Sequence, residues 1–350
     1  MLFYKSWIVF VYAVALSIES IIIEYLTTYF IKFSPIVISS VSITLSGIML
    51  LFVATIILKK YKETIILFVK SWSTLITASL SLSLGIFAWY DSINRIGASK
   101  EALIAGPIEI IIIVILARLF LSERLSSFHI LGIFLGFIGF ILALVSDLDI
   151  SNVANNVDIF NMTTAIVTTP TSPSLLSIIS FGDIEAILSA LGFALAVLFL
   201  SKLILKHSSI QVAGASMFIA GLILAIFMIF GFLYNPVLLS SNKTSSILKQ
   251  PSTLSIYTNI MILLLFSFIP FIGSLSYSIG LRRIGASLTA TIGSSNIVIT
   301  LIIQIILKEL GFASHLPVNI FLAILGSIIG FFGIFIIHMS DFLLLKKKRQ

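Results

Sequence analysis

The sequence predicts an all-α polytopic membrane protein with ten transmembrane helices, arranged as a 5+5 inverted repeat. Three observations support this fold class: an apolar composition, ten apolar runs of membrane-spanning length, and a set of motifs that occurs twice. Of the 350 residues, 59% are hydrophobic and only 10% are charged, whereas soluble domains average about 25% charged residues. Because so few charges cannot cover a water-facing surface, the composition argues against a soluble enzyme, a disordered protein and a nucleic-acid-binding protein.

The net charge of +7 does not indicate a nucleic-acid partner either. Four of the positive residues lie in the last five positions, and most of the others lie near the ends of apolar runs. The chain contains no cysteine, which excludes a disulfide, a thiolate nucleophile and a cysteine-ligated metal. The partner that the composition predicts is the lipid bilayer.

The first half of the chain contains five apolar runs. A helix that crosses a hydrocarbon core about 30 Å thick needs roughly 20 apolar residues. The runs of this length cover 7–30, 36–58, 70–91, 99–120 and 127–145. The first run resembles a signal peptide cleaved near Ala15, but it continues well past that residue and more spans follow it. We therefore expect it to be a retained helix.

The second half also contains five apolar runs, which cover 183–205, 209–233, 255–280, 286–307 and 316–338. The connection between the halves is rich in Ser, Thr and Asn, which is typical of a solvated loop. The predicted domains are a first repeat over 1–146, a polar loop over 147–182, a second repeat over 183–345 and a basic tail over 346–350.

The distribution of basic residues predicts the orientation. When both termini are placed in the cytoplasm, fifteen Lys and Arg residues belong to inner segments and six to outer segments, in agreement with the positive-inside rule. We therefore predict a multi-pass protein of the cell (plasma) membrane with cytoplasmic N- and C-termini and an extracytoplasmic loop over 147–182. Two N-x-[ST] sequons, at Asn161 and Asn242, fall on the predicted outer side.

Three landmarks occur in the same order in both halves. The sequence R-I-G-A-S appears at 95–99 and again at 283–287. Each copy precedes a span that ends near an acidic residue, Glu123 in the first half and Glu309 in the second. A glycine-stepped span follows in each case, with Gly132, Gly136 and Gly139 in the first half and Gly326, Gly330 and Gly333 in the second. We interpret these glycines as sites of close helix packing.

The duplication predicts an inverted repeat. Each half holds five spans, an odd number, so the second half enters the membrane in the opposite orientation to the first. This is the architecture of many secondary transporters, in which the substrate site lies near the middle of the bilayer between the halves. Two similar halves that exchange conformations give inward-open and outward-open states of similar energy.

The sequence also resembles the EamA-type transporters of the drug/metabolite transporter (DMT) superfamily. The resemblance rests on the five-plus-five repeat, the alanine-serine turn before the fourth span, the L-S-E-R-L ending of that span and the glycine-stepped fifth span. It is sharpest over 90–144, with a fainter copy over 277–337. The resemblance implies a ten-helix permease for small metabolites, often an exporter of amino acids or similar compounds.

Three acidic residues in the apolar runs are the first candidates for a functional site. An ionised side chain at the centre of a membrane helix costs about 2.5–3.5 kcal/mol on insertion scales. Glu19 and Glu24 interrupt the first span, and Glu109 lies near the middle of the fourth. The spacing of five residues rotates Glu24 about 140° from Glu19, so the two cannot face the same narrow cavity.

These acids have two possible functional roles. No base is predicted at the depth of Glu19 and Glu109, so the carboxyl groups are either protonated at rest or accept a cation from outside the protein. Either behaviour suits a proton-coupled carrier or one that binds an amine. The alternative is a neutral glutamic acid hydrogen-bonded to a neighbouring helix, and it applies to Glu24 as well.

Four further residues complete the candidate substrate-binding or proton-coupling set. The resemblance implies a proline in the fourth helix, which is Pro107 here. It frees carbonyls near Glu109, although a packing kink accounts for it equally well. At the matching position of the ninth span, Ser295 and Asn296 form a polar interruption that either binds substrate or joins helices. Tyr277 in the eighth span is a candidate lining residue.

The remaining features of the sequence do not indicate a functional site. Trp89 and Tyr90, near the outer end of the third span, indicate an interfacial aromatic belt rather than a substrate clamp. The sequence has no Walker A, H-E-x-x-H or G-x-S-x-G motif, and its four histidines have no metal-ligand spacing. We therefore expect no cofactor, no metal and no enzymatic activity.

The favoured hypothesis is a secondary transporter that moves an amino acid, an amine or a similar compound by alternating access, with protons as a possible coupling ion and efflux as the implied direction. One alternative is a nucleotide-sugar or sugar-phosphate carrier of the same superfamily, which would need cations in its cavity. Another is an intramembrane lipid-modifying enzyme. Its nearest acids are interpreted as solvated loop and helix-start charges; they are Asp147, Asp149, Asp183 and Glu185. A non-transporting receptor or assembly partner is the remaining alternative.

Overall fold

The computed structural model describes residues 2–30, 33–121, 127–146, 180–234, 253–312 and 315–347. Within these ranges the chain is helical and contains no strand, which confirms the predicted all-α class. Several features of the sequence lie outside the described residues: both sequons, the acids at 147 and 149, the Glu123 landmark, most of the polar loop and the last three residues of the basic tail.

Six α-helices lie in the described part of the first half. They are α1 (Leu2–Glu24), α2 (Pro35–Phe52), α3 (Tyr61–Lys70), α4 (Trp72–Ile96), α5 (Ala98–Leu121) and α6 (Ser127–Val145). Two of them, α1 and α2, continue as π-helical segments over Tyr25–Phe30 and Val53–Ile57. Pro35 starts α2, since the amide donor that proline lacks has no partner in a first helical turn. The short helix α3 lies between two predicted spans and is an addition to them.

Seven α-helices lie in the described part of the second half. They are α7 (Phe181–Ile204), α8 (Ser209–Tyr234), α9 (Thr253–Phe266), α10 (Phe268–Ile284), α11 (Ala286–Gly293), α12 (Asn296–Glu309) and α13 (Ile320–Lys347). Helix α7 begins with a capping box, in which the Asp183 amide donates to Ser180 Oγ at 3.2 Å and the Ser180 amide donates to Asp183 Oδ2 at 2.8 Å.

Two predicted spans are divided into shorter helices. The span over 255–280 forms α9 and α10, which meet at Ser267, and the span over 286–307 forms α11 and α12, which meet at Ser294 and Ser295. At the first division, the Ser46 hydroxyl of α2 donates to the Ser267 carbonyl at 2.6 Å. This carbonyl is therefore shared between its own helix and a neighbouring one.

In the described part of the chain, six helical stretches are long and apolar enough to cross a membrane. They are Trp7–Thr28, Pro35–Ile57, Trp72–Ile96, Phe181–Ile204, Ser209–Leu233 and Tyr257–Ile284. Shorter apolar helices cover Ile130–Val145 and Ile320–Gly333. Large apolar side chains such as Phe134 and Phe321 are exposed on the outside of the bundle, where lipid tails would cover them.

Helices of the first half pack lengthwise against helices of the second. Helix α4 lies along α7, α2 along α8, α6 along α13 and α1 along α10. A Cβ atom placed on Gly139 would lie 2.7 Å from the carbonyl oxygen of Gly326, and one placed on Gly333 would lie 2.6 Å from that of Gly132. The glycine-stepped segments therefore allow the backbones of α6 and α13 to touch, which confirms their predicted packing role.

The bundle has two ends, each marked by a tight turn. Gly97 separates α4 from α5 with φ +82° and ψ 160°, and Gly285 separates α10 from α11 with φ +88° and ψ 173°. Such positive φ values favour glycine. We name the ends after these residues. Glu24, the last residue of α1, hydrogen-bonds at the Gly97 end, whereas Val9 near the start of α1 packs on α10 towards the Gly285 end.

Candidate functional site

A cavity lies in the centre of the bundle, between the two halves. Its walls come from α1, α2, α4, α5, α7, α8 and α10 and from the α11–α12 interruption. The volume of this cavity is about 130 Å³. Since one water needs about 10–15 Å³, the cavity has room for several water molecules or a small ligand. Most of the wall is apolar, as in typical small-molecule sites. The polar or amphipathic lining residues are Tyr12, Glu19, Trp89, Glu101, Glu109, Ser216, Ser274, Tyr277, Ser278, Ser294 and Asn296.

Glu109 of α5 lines the cavity together with two tyrosines. Tyr12 of α1 and Tyr277 of α10 have ring centroids 4.6 Å apart, and both phenols lie within electrostatic range of Glu109. Among the described residues, none forms a hydrogen bond or an ion pair with the Glu109 carboxyl group. The Tyr277 hydroxyl oxygen is buried and also has no hydrogen-bond partner there. This part of the cavity therefore has polar groups available to a ligand.

Glu19 of α1 is held by a neighbouring helix. Its side chain is 4% exposed, and the Tyr90 hydroxyl of α4 donates to Glu19 Oε1 at 2.8 Å. The same hydroxyl lies 3.4 Å from Ser42 Oγ of α2. Three helices of the first half thus fix the orientation of this carboxyl group, which lines the cavity.

Glu101 of α5 is a third cavity acid, and the sequence analysis missed it. Trp89 Nε1 donates to Glu101 Oε2 at 3.1 Å, and the Ser189 hydroxyl of α7 lies 3.4 Å from Oε1. A signal was present in the sequence, because Glu101 and Glu109 are eight residues apart. This spacing places them about 80° apart around a helix and about 12 Å apart along it.

Trp89 and Tyr90 do not form an interfacial belt, so this interpretation was wrong. Their side chains are 5% and 0% exposed, and their polar hydrogens bind the cavity acids. The Trp89 ring also contacts the Phe193 ring edge-on, with centroids 5.8 Å apart. An aromatic pair near the end of an apolar run has the same sequence pattern whether it faces lipid or the protein interior.

The structure brings four of the seven predicted site residues together. Those that line the cavity are Glu19, Glu109, Tyr277 and Asn296. Ser295 does not line it, but its neighbour Ser294 does. The helical interruption also contacts α1, because the Ser17 hydroxyl donates to the Asn296 carbonyl at 3.2 Å.

Pro107 lies outside the cavity lining. Helix α5 continues through it, and the preceding residue, Gly106, lines the cavity instead. The proline ring faces α6 and α13, since Cβ atoms placed on Gly136 and Gly330 would lie 4.0 and 3.8 Å from it. Pro107 therefore packs against the glycine-stepped helices.

Glu24 lies at the Gly97 end and does not line the cavity. Its carboxylate accepts hydrogen bonds from the backbone amides of Ala98 at 2.9 Å and His315 at 2.8 Å, and from the Gln304 amide nitrogen. His315 Nδ1 lies 3.3 Å from Glu24 Oε1. The hydrogen bond to this carboxylate raises the pKa of His315. Glu24 thus ties α1 to the start of α5, to α12 and to the segment before α13.

Two groups of ion pairs connect the halves at the same end. Lys100 Nζ lies 2.9 Å from Asp183 Oδ1, and both side chains are almost fully buried. Arg95 pairs with Asp91 at 3.0 Å within α4 and with Glu185 of α7 at 2.9 Å. Asp183 does start α7, as expected, but Asp183 and Glu185 are buried interhelical charges, so describing them as solvated was wrong.

No group of three or more potential metal ligands occurs among the described residues. The acids at the Gly97 end bind protein donors and basic side chains. What the cavity can do chemically is accept protons or bind a small polar or cationic molecule.

Comparison with known proteins agrees with this architecture. No curated protein matches the chain. A solved structure, described only as the crystal structure of a protein, superimposes with a TM-score of 0.58 over 97% of this chain and 98% of that chain. The sequence identity is 13%, so this similarity concerns the fold alone.

The family comparison concerns the first half of the chain. Residues 5–145 match the EamA-like transporter family, whose members carry small molecules across membranes. The matched segment contains α2 to α6 and nearly all of α1, including the three cavity glutamates. These apolar helices belong to a multi-pass membrane protein, and its resemblance to the EamA-like transporter family, which is part of the DMT superfamily, is confirmed over residues 5–145.

Proposed function

We propose that this protein is a secondary transporter that moves a small metabolite across the plasma membrane by alternating access. The observation that carries the proposal is the central cavity, which lies between the two halves and is lined by three glutamates. A mid-bundle site between halves is the arrangement that alternating access requires. The family match over residues 5–145 supports the same function.

The ten-helix 5+5 inverted repeat is part of this proposal. In it, α9 with α10 and α11 with α12 each form one interrupted span. Two observations support the repeat: the Gly97 and Gly285 turns share one backbone conformation at opposite ends of the bundle, and the helix pairs are symmetric. The third span packs on the sixth and the first on the eighth, which are corresponding pairs under a five-span repeat.

The proposed orientation follows from the basic residues. The termini and the Gly285 end are cytoplasmic, and the Gly97 end faces outward. The contacts of Glu24 and the Lys100–Asp183 ion pair bring the halves together at the Gly97 end. In the alternating-access cycle these contacts close the outer side of the cavity and break when it opens outward.

The proposed cargo is an amino acid, an amine or a similar compound, with protons as the coupling ion and export as the direction. Glu19 and Glu109 are the proposed proton-binding groups, since both are carboxyl groups that line the cavity. Phosphorylated sugars fit poorly, because the described lining residues include no Lys, Arg or His. A lipid-modifying reaction also lacks support, because Asp183 and Glu185 already form ion pairs.

Solute flux in proteoliposomes tests the transport function. Purified protein is exposed to an imposed pH gradient and a panel of amino acids, amines and organic anions. We expect gradient-driven movement of one class by the wild type, and its loss in Glu109→Gln. Glu63→Gln serves as the matched control, since Glu63 is exposed on α3 and pairs with Lys60 at 3.8 Å. The absence of flux for every class would contradict the proposal.

A pH profile tests the coupling separately. If Glu19 and Glu109 bind the coupling proton, Glu19→Gln and Glu109→Gln flatten the dependence of flux on pH. Unchanged flux in both variants across neutral and mildly acidic pH would rule out a role of Glu19 and Glu109 in coupling. The protein would then be a facilitator.

A further inference from the structure

The described lining of the cavity has acidic side chains without basic ones. Its described lining residues include Glu19, Glu101 and Glu109 but no basic side chain. A carboxylate in an apolar environment is stabilised by a cation or by hydrogen-bond donors. A ligand that brings a positive charge therefore gains more in this cavity than a neutral or anionic one.

The three acids differ in the partners that the protein supplies. Glu19 is bound by Tyr90, and Glu101 is bound by Trp89 and Ser189. Glu109 has no such partner among the described residues. The acid that remains for a ligand is therefore Glu109.

Aromatic rings lie beside this acid. The Tyr12 and Tyr277 rings are 4.6 Å apart at their centroids, tilted by 46°, and both line the same cavity as Glu109. The Tyr277 hydroxyl oxygen is buried without a hydrogen-bond partner in the described structure, although its side chain lines the cavity. A cavity lined by both an acid and aromatic rings is a favourable environment for an alkylammonium group, because ring faces attract cations.

We propose that Glu109, with the rings of Tyr12 and Tyr277, binds the charged nitrogen of a small organic cation that has no carboxylate of its own. This inference rests on the proposed transport function and specifies its substrate class. Of the proposed cargoes, an amine fits this cavity better than an amino acid, because the carboxylate of an amino acid would enter a cavity that already contains three glutamates. The apolar side chains of the wall, such as Ile86, Ile110 and Leu200, enclose the alkyl part of the cation.

Binding in detergent, without any gradient, tests this inference apart from transport. Three ligands share one carbon skeleton: isopentylamine is a cation, isopentanol is neutral, and leucine adds a carboxylate to the amine. We expect isothermal titration calorimetry to show binding of isopentylamine, with affinity for isopentanol and leucine at least about tenfold weaker, the value of one charge-assisted hydrogen bond. Equal affinity for leucine would overturn the proposal, as would a lack of isopentylamine binding.

Tryptophan fluorescence locates the ligand. The chain has three tryptophans, and Trp7 and Trp72 are exposed whereas Trp89 lines the cavity. A Trp7→Phe/Trp72→Phe variant therefore leaves one tryptophan, at the site. We expect isopentylamine to change its emission at the concentrations that produce binding heat. Heat without a change in emission would place the ligand elsewhere and overturn the assignment.

Variants test the residues. Glu109→Gln should weaken isopentylamine binding about tenfold or more, and Tyr277→Leu, which removes the ring, about two- to thirtyfold. Glu63→Gln should leave the affinity unchanged, and thermal unfolding verifies that each variant is folded. Unchanged affinity in folded Glu109→Gln overturns the inference; if that variant does not fold, the ligand series on the wild type still decides.

The outcomes for binding and transport are separable. Amine binding without flux supports the site and contradicts the transport function. Gradient-driven flux of amino acids or anions, without amine binding, supports transport and overturns the substrate class.

Discussion

The three cavity glutamates show how single residues determine what this site can bind. A buried carboxylate needs donors or a cation, and α4 supplies aromatic donors to two of the three acids. Tyr90 binds Glu19, and Trp89 binds Glu101. These donors keep Glu19 and Glu101 oriented as long as α4 keeps its position. Glu109 has no such donor and therefore remains available to a proton or a ligand.

Tyr90→Phe tests the value of one of these hydrogen bonds. The variant retains the ring but leaves Glu19 Oε1 without its donor, so we expect a loss of about 1–3 kcal/mol in the free energy of unfolding. Thermal unfolding in detergent measures this loss as a lower midpoint. Tyr61→Phe is the control, because Tyr61 is 54% exposed. Equal midpoints for the two variants would contradict the importance of the Tyr90–Glu19 contact.

His315→Gln tests the pH dependence of the contacts at the Gly97 end. The Glu24 carboxylate raises the pKa of His315 above its usual 6.5. The stabilisation is therefore fully present below pH 6.5 and is lost as the pH rises through the raised pKa. We expect the unfolding midpoint of the variant to fall below that of the wild type in acid and to approach it in alkali.

His207 provides a control of opposite sign. It lies between α7 and α8, where partial burial lowers its pKa below 6.5, and its Nε2 lies 2.9 Å from Ser71 Oγ. Its contribution is present above pH 6.5 and is lost as the pH falls through the lowered pKa. His207→Gln should therefore lose its effect in acid. The same pH trend in both variants would contradict the local origin of the His315 effect.

The sequence predicted the acids of the site better than their partners. Glu19 and Glu109 are conspicuous because they interrupt apolar runs. Glu101 lies beside Lys100 at the start of a span, where charges are ordinary. The binding of Trp89 to Glu101 depends on how two helices face each other, and a linear sequence does not encode that rotation directly.

At the scale of helices, the contacts depend on small residues. The α4–α7 pair meets at Gly85 and Gly192, where a Cβ on Gly192 would lie 2.5 Å from the Gly85 amide nitrogen. The α6–α13 pair uses Gly139 and Gly333 in the same way. Because these helices come from different halves, glycines determine how closely the halves approach in both pairs.

Gly139→Ala tests this role. Its Cβ would lie 2.7 Å from the Gly326 carbonyl oxygen and 2.9 Å from Gly330, so the helices must separate. We expect a loss of about 1–3 kcal/mol from overpacking, measured as a lower unfolding midpoint. Gly231→Ala is the matched control in α8, since no atom lies within 4 Å of its added Cβ. A midpoint for Gly139→Ala at or above that of the control would show that the helices can adjust without cost.

Apolar runs predicted the helices well, because every predicted span coincides with helix over most of its length. The interruptions were only partly predictable. The polar residues Ser294, Ser295 and Asn296 marked the break between α11 and α12. The break at Ser267 precedes Pro270, which has no amide to donate to the Phe266 carbonyl. The contact between the Ser46 hydroxyl and the Ser267 carbonyl joins two helices, and nothing near Ser267 in the sequence reveals it.

At the scale of the whole molecule, the pairing of the halves suggests how the cavity opens. Each helix of the first half that packs lengthwise on the second does so through close contacts, so we expect each pair to move as one unit. The ion pairs and the Glu24 contacts at the Gly97 end are polar and few. Polar contacts can be exchanged for water when that end opens, whereas close-packed glycine contacts cannot.

The proposed orientation of the two ends can be measured on the natural chain, which has no cysteine. Lys206→Cys places one thiol in the exposed turn between α7 and α8, and Leu310→Cys places one at the exposed end of α12. Contacts put these positions at the Gly285 end and the Gly97 end, and the positive-inside rule puts the first in the cytoplasm. In intact cells we expect a membrane-impermeant maleimide to label Leu310→Cys, and to label Lys206→Cys only after permeabilisation. The reverse pattern would invert the orientation, and labelling of both positions in intact cells would contradict the placement of the two ends on opposite faces of the membrane.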